Sequence, residues 1–205
     1  VITGAGKAFC AGADLKRRSG APAGSANISY DTVLCAIWNG DKPVIAAVNG
    51  YAFAGGLGLV GAADIVVTSA AATFSFSEVR VGVIPAIISV VCLPKIGAHH
   101  GMRLFLTGER FDGERAVGIG LAHRAVPLEE LVPAVQEEID AICLGGPNAI
   151  IECKKLVRLV SNLSLEDGFE QTKTWSKRMF QTDEATEGMA AFGEKRKPSW
   201  IEEMS

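Results

Sequence analysis

Apolar residues change their spacing near residues 120 to 127. Before that point they fall in short β-rich runs closed by turn residues: Val44-Ile45-Ala46-Ala47-Val48 ends at Asn49-Gly50, and Ile65-Val66-Val67-Thr68 ends at Ser69-Ala70. Runs of this length and composition predict buried strands. Beyond it the spacing is helical. Leu128, Leu131, Val132, Val135, Ile139 and Ile142 recur with Glu129, Glu130, Glu137 and Glu138 between them, which predicts a helix with one core face and one wet face. Ile150, Cys153, Val157 and Val160 predict a second, with Lys154, Lys155 and Arg158 turned away from the stripe. Ser164-x-x-Asp167 predicts a helix start, and Pro198 a stop for the last helix after residues 194–197. Gly20 to Ser25 reads as a flexible surface loop. The chain thus divides into a β-rich part, 1–122, and a helical part, 123–205.

Composition narrows the function classes. With 205 residues, 48% of them hydrophobic, the chain is long enough to bury a sizeable core. Its 20 Lys and Arg against 23 Asp and Glu give a formal charge of −3, without the basic excess that nucleic acid requires of a partner. No apolar run reaches the ~20 residues needed to span a bilayer, so no membrane partner is expected. Five cysteines, odd in number and without a C-x-x-C pair, suggest neither a zinc site nor a disulfide framework; reduced, mostly buried thiols fit a cytoplasmic protein. His99 and His100 lack a spaced ligand partner and read as helix-start residues rather than metal ligands. The opening Val1-Ile2-Thr3-Gly4 is a strand end without an initiator Met, which predicts further chain before it.

Two glycine-rich segments carry the candidate chemistry. One is Lys7-Ala8-Phe9-Cys10-Ala11-Gly12-Ala13-Asp14-Leu15-Lys16; the other runs from Lys42-Pro43 through Asn49-Gly50-Tyr51-Ala52-Phe53-Ala54-Gly55-Gly56 to Asp64-Ile65. Phe76-Ser77-Glu78-Val79-Arg80-Val81-Gly82-Val83-Ile84-Pro85, Leu106-Thr107-Gly108, Gly120-Leu121-Ala122 and Glu187-Gly188-Met189-Ala190-Ala191-Phe192 follow. In order and separation these blocks resemble the enoyl-CoA hydratase/isomerase, or crotonase, family over nearly the whole chain. The resemblance implies an α/β fold, a spiral of repeated β-β-α units with a C-terminal helical oligomerisation region, here lacking the N-terminal strands and helix that relatives carry. It also implies an acyl-CoA substrate, no separate cofactor and a homotrimer or dimer of trimers.

The same resemblance assigns roles that physical chemistry supports. The N–H groups of Ala13 and Gly55 would hold the thioester oxygen, where negative charge develops during reaction at C2 or C3. Gly55-Gly56 precedes an apolar run that reads as a helix, Leu57 to Ala63, whose positive end would face that oxygen. Ala11, Ala13, Asp14, Leu15, Lys16 and Gly55 would line the CoA site. Arg17 and Arg18 read as a solvated basic turn ahead of the alternative, contacts to the carrier's phosphates. Glu78, set among Phe74, Phe76 and Val79, is the candidate acid–base group; pairing with Arg80, or simple exposure, is the alternative.

One position departs from the family pattern. Many hydratases carry a second Glu 20 positions before the first, and that place is Gly58. Activity then rests on Glu78. The leading expectation is an enoyl-CoA hydratase, with a branched or carboxylated acyl group such as methylglutaconyl-CoA as one candidate substrate; Gly58 would then leave room for a polar tail or a differently held water, and Ser89 reads as a buried, hydrogen-bonded residue before it reads as a helper. A Δ3,Δ2-enoyl-CoA isomerase and a non-catalytic acyl-CoA-binding homologue are the alternatives. Phe169, Trp175 and Phe180 are expected at an oligomer contact.

Overall fold

A computed structural model describes residues 1–12 and 28–202. The loop expected at 20–25 and the basic residues Lys16, Arg17 and Arg18 lie outside them. Contacts group the chain into two compact units, Val1–Gly40 with Val44–Val135, and Asp41–Pro43 with Gln136–Ser205.

The first unit is built from parallel strands: β1 (Ile2–Thr3), β2 (Ala8–Cys10), β3 (Ile45–Val48), β4 (Tyr51–Phe53), β5 (Ile65–Ser69), β6 (Phe74–Ser75) and β7 (Arg124–Val126). Odd-numbered strands form one sheet, in the order β1-β3-β5-β7, and even-numbered strands form another, β2-β4-β6. Each pass of the chain therefore lays one strand on each sheet and returns through a helix: α1 (Tyr30–Asn39), α2 (Gly55–Ala62) or α3 (Ala86–Thr107). Asn49 fastens the turn between sheets, accepting from Gly4 N (3.1 Å) and donating to the Gly6 carbonyl (3.0 Å). Val48, Ala52, Val66, Phe74 and Phe76 are buried between these layers.

The boundary expected at residue 122 falls too early. Val67, Thr68 and Ser69 of β5 pair with Arg124, Ala125 and Val126 of β7, which follows the short helix α4 (Gly113–Gly118), and Leu131, Ala134 and Val135 are buried at the start of α5 (Leu131–Cys143). Strand pairing keeps this stretch in the first unit, and the division comes within α5. The thiols also differ from expectation. Cys92 is buried, Cys10 and Cys143 are half-buried, and Cys35 and Cys153 are exposed.

Helix α2 has the sequence Gly55-Gly56-Leu57-Gly58-Leu59-Val60-Gly61-Ala62, in which four glycines oppose helix formation by about 1 kcal/mol each. Packing offsets this. Leu57 and Val60 are fully buried, each stabilising by about 1.5–3 kcal/mol. The glycines let α3 approach closely: a Cβ at Gly61 would stand 2.7 Å from Cys92 Sγ and 3.1 Å from the Val91 carbonyl carbon. Cys92 Sγ donates to the Leu57 carbonyl (3.3 Å), and Lys95 Nζ donates to the carbonyls of Val60 (3.3 Å) and Ala63 (2.6 Å). A cation on the C-terminal carbonyls complements the helix dipole and fixes the axis of α2.

Gly97 breaks α3 with φ 69° and ψ 163°, so His99 and His100 open its second segment. In the second unit, α6 (Pro147–Val160), α7 (Leu165–Met179) and α8 (Asp183–Glu194) follow the amphipathic pattern. Ser164 Oγ accepts from Asp167 N (3.2 Å) as the N-cap expected of α7. Glu184 accepts from the Asn148 and Ala149 N–H groups, closing the start of α6. Lys195 ends α8 in the left-handed region, and α9 (Ser199–Glu202) resumes after Pro198, which thus separates two helices rather than ending the last.

Candidate active site

Parallel strands gather the candidate residues at one end of the smaller sheet. β2, β4 and β6 run side by side, and just past their C-terminal ends come Ala11-Gly12, Ala54-Gly55 and Ser77-Glu78. Carboxyl ends of parallel strands are where α/β folds build ligand sites. The register makes the placement specific. Phe53 pairs with Ser75, the Ala54 N–H donates to the Ser75 carbonyl (3.1 Å), and the chain then turns into α2 on one strand and into a 3-10 turn, Ser77–Val81, on the other.

Gly55 opens α2, so its N–H is among those a helix leaves without an internal partner. Ala54 before it adopts φ 47° and ψ −120°, a conformation normally left to glycine. Strain of this kind, of order 1–3 kcal/mol, persists where surroundings over-determine it. Gly12, at φ 88°, fits against the peptides on either side of Ala54: a Cβ there would lie 3.3 Å from Gly55 N and 3.1 Å from the Phe53 carbonyl oxygen. The two glycine-rich blocks therefore meet at Gly12 and Gly55. Ala11 is exposed at the mouth, while Ala13, Asp14 and Leu15, like Lys16, lie outside the described residues.

Glu78 is half-buried in the 3-10 turn, and its Oε2 is enclosed without a hydrogen bond from any described residue. Loss of solvent raises its pKa above the ordinary glutamate range. Pairing with Arg80 does not occur: that guanidinium donates instead to the carbonyls of Gly108 (3.1 Å) and Thr107 (3.0 Å). A lone, partly desolvated carboxylate suits proton transfer at carbon.

Gly58 does not leave the expected room. A Cβ built there would strike the Tyr30 hydroxyl and come within 2.7 Å of Ile88 Cγ2 and 3.2 Å of Tyr30 Cζ. Tyr30, from α1, donates its hydroxyl hydrogen to the Gly55 carbonyl. Burial first, then the thiols of Cys10 and Cys92, push its pKa far above the ordinary phenol value. Tyr30 and Ile88 carry no motif, and sequence reasoning did not single them out. Ser89, the suggested helper, turns back to the Ala86 carbonyl (2.7 Å) within α3.

A sequence model described as enoyl-CoA hydratase/isomerase matches residues 1–203. The chain belongs to the enoyl-CoA hydratase/isomerase family. It is 36% identical to a carnitinyl-CoA dehydratase of Proteus mirabilis over 208 aligned positions, covering 98% of this chain and 80% of that protein. Among solved structures it resembles an enoyl-CoA hydratase of Mycobacterium smegmatis (TM-score 0.88, 30% identity, 96% of this chain and 78% of that one). An enoyl-CoA hydratase of Shewanella pealeana is similar (TM-score 0.86, 32% identity, 95% and 76%). The two-sheet winding and the C-terminal helices are thus the crotonase-like α/β fold, and the protein is an enzyme of the hydratase/isomerase type acting on acyl-CoA.

Proposed function

We propose that this family member moves a proton on an enoyl-CoA with Glu78 as its single acid–base group, while the Gly55 and Ala13 N–H groups hold the thioester oxygen. The enclosed Glu78 carboxylate, unpaired among the described residues, carries the reading. A single acid accounts for a Δ3,Δ2 double-bond shift. Glu78 takes a proton from C2 of the 3-enoyl ester, the electron pair of that C–H bond delocalises onto the oxygen held by the two N–H groups, and the same carboxyl returns the proton at C4. No water enters. Fixed donors at the oxygen lower the cost of the intermediate charge, each worth ~3–4 kcal/mol in comparable sites.

The alternative is hydration or dehydration at C2 and C3, including branched or carboxylated acyl groups such as methylglutaconyl-CoA. The likeness to carnitinyl-CoA dehydratases favours it. Gly58 and its filled surroundings count against a water held between two carboxylates. Incubating the protein with 2-enoyl-CoA and 3-enoyl-CoA separately tests the choice: conversion of the 3-enoyl ester with stable 2-enoyl absorbance is expected, and rapid loss of that absorbance would establish hydration instead.

For the carrier end, Ala11, Ala13, Asp14, Leu15 and Lys16 remain the proposed CoA contacts. A homotrimer, or dimer of trimers, is the proposed assembly. Exposed Phe169 and Phe180 support an oligomer contact on α7 and just after it, whereas Trp175 is tied to Glu152 by its indole N–H (2.8 Å).

A further inference from the structure

Position 58 and Tyr30 compete for one space, and the competition bears on both the oxygen clamp and the fate of water. Tyr30 is the first residue of α1, yet its ring reaches across to α2 at two positions three residues apart, Gly55 and Gly58. At Gly55 the hydroxyl donates to the carbonyl of the residue whose N–H faces the proposed thioester oxygen. At Gly58 the same hydroxyl stands where a Cβ would project, with Ile88 closing the other side. Ile88 is buried, and its methyl and the phenol are the nearest groups to the position a Cβ would take. A water molecule needs two to four polar partners to be held in such a place. The phenol has already committed its hydrogen, and burial keeps it protonated, so it serves as a donor and not as a base.

We propose that Tyr30 is the positioning and specificity-determining residue of this site: it anchors the Gly55–Gly56 peptide, next to the Ala54–Gly55 peptide whose N–H forms the oxygen clamp, and with Ile88 it seals the seat from which a second acid would deliver water. The role rests on the reading of Glu78 as a proton carrier on an acyl-CoA. Anchoring matters because Gly55 has no Cβ to restrict it and follows the strained Ala54, so a grip on its carbonyl limits how far the residue, and with it the preceding peptide's N–H, can rotate. Sealing matters because a dry site returns the proton to carbon instead of admitting water.

Two variants separate these parts. Tyr30→Phe keeps the ring and removes the anchor. It should lower kcat on 3-enoyl-CoA about 10- to 100-fold, the scale of a small misplacement of a reacting group, with little change in KM. The acid limb of its pH profile should stay where Glu78 sets it. Tyr30→Ala combined with Gly58→Glu opens the space and supplies the second carboxylate, and should add label from H2 18O to 2-enoyl-CoA at least ten times faster, relative to isomerisation, than the parent does.

Calorimetry with acetoacetyl-CoA and with free CoA reads the clamp without turnover. The parent should bind acetoacetyl-CoA more tightly, and Tyr30→Phe should lose about tenfold of that preference. Equal preference in parent and Tyr30→Phe, together with unchanged kcat, would overturn the anchoring role, and an unchanged product ratio in a folded double variant would overturn the sealing role. A parent that binds both probes but turns over neither ester contradicts the Glu78 reading while leaving the clamp measurable. One that binds neither refutes both.

Discussion

Alanine at Gly58 has a stability effect whose sign depends on whether Tyr30 and Ile88 fill the space. In an ordinary helix interior, Gly→Ala gains about 1 kcal/mol by restricting the unfolded chain. Here the new methyl would lie 2.7 Å from Ile88 Cγ2 and 3.2 Å from Tyr30 Cζ, against a normal carbon–carbon separation of about 3.5–4.0 Å. Neither neighbour yields easily. Ile88 is β-branched and 3% exposed, and the ring tip of Tyr30 is hydrogen-bonded to Gly55. Overpacking of this kind costs about 1–3 kcal/mol, so the net change is a loss of up to about 2 kcal/mol. For a chain of this size that lowers Tm by as much as ~8 °C. Thermal unfolding of Gly58→Ala measures it directly. Repeating the substitution in a Tyr30→Phe background should shrink the loss, because the nearest atom is gone. A rise in Tm for Gly58→Ala alone would show the space to be open and refute the packing argument.

Two further substitutions probe the neighbouring parts. Glu78→Gln should reduce turnover of the enoyl ester about 10²–10⁴-fold while preserving affinity for free CoA, measured by steady-state assay and calorimetry; near-parental activity would show that another group moves the proton. Burial raises the folded pKa of Glu78 above its unfolded value. Its contribution to stability is therefore complete below the unfolded pKa and declines as pH rises through the folded one, so Glu78→Gln should have the higher Tm at neutral pH and lose that advantage in acid. The acid limb of the parent's activity should correspondingly lie above the usual glutamate range of about 4.3, and a limb below it would contradict the desolvated setting. Lys95→Met removes the cation from the Val60 and Ala63 carbonyls and should cost about 1–3 kcal/mol in thermal unfolding; an unchanged Tm would mean that packing alone holds the end of α2.

What could be read in advance followed the range of the forces involved. Strand β3 and strand β5 announced themselves through β-branched runs, and α5, α6 and the Ser164 cap through spacing and local hydrogen bonding. Strands β1, β2 and β6 have two or three residues each, too few for a period-two pattern, and exist because parallel neighbours supply their partners. The boundary near 122 failed for the same reason: composition turns helical there, but β7 belongs to β5, far back in the chain. Glu78 was legible as an acid in apolar surroundings, and Gly55 as the opening of an apolar helix.

Gly58 was legible only by half, and the missing half is physical. A glycine in place of a carboxylate says that a group has gone; it does not say whether the vacated volume is empty. Tyr30 lies 28 positions upstream and Ile88 30 positions downstream, with no motif linking either to Gly58. Their claim on the space comes from α1 and α3 closing on α2, which the glycines of α2 permit. Had the volume been empty, the deletion would favour a larger or more polar acyl group. Filled by a phenol and a branched aliphatic chain, it favours a tighter and drier site, as the proposed transfer of one proton between carbons requires.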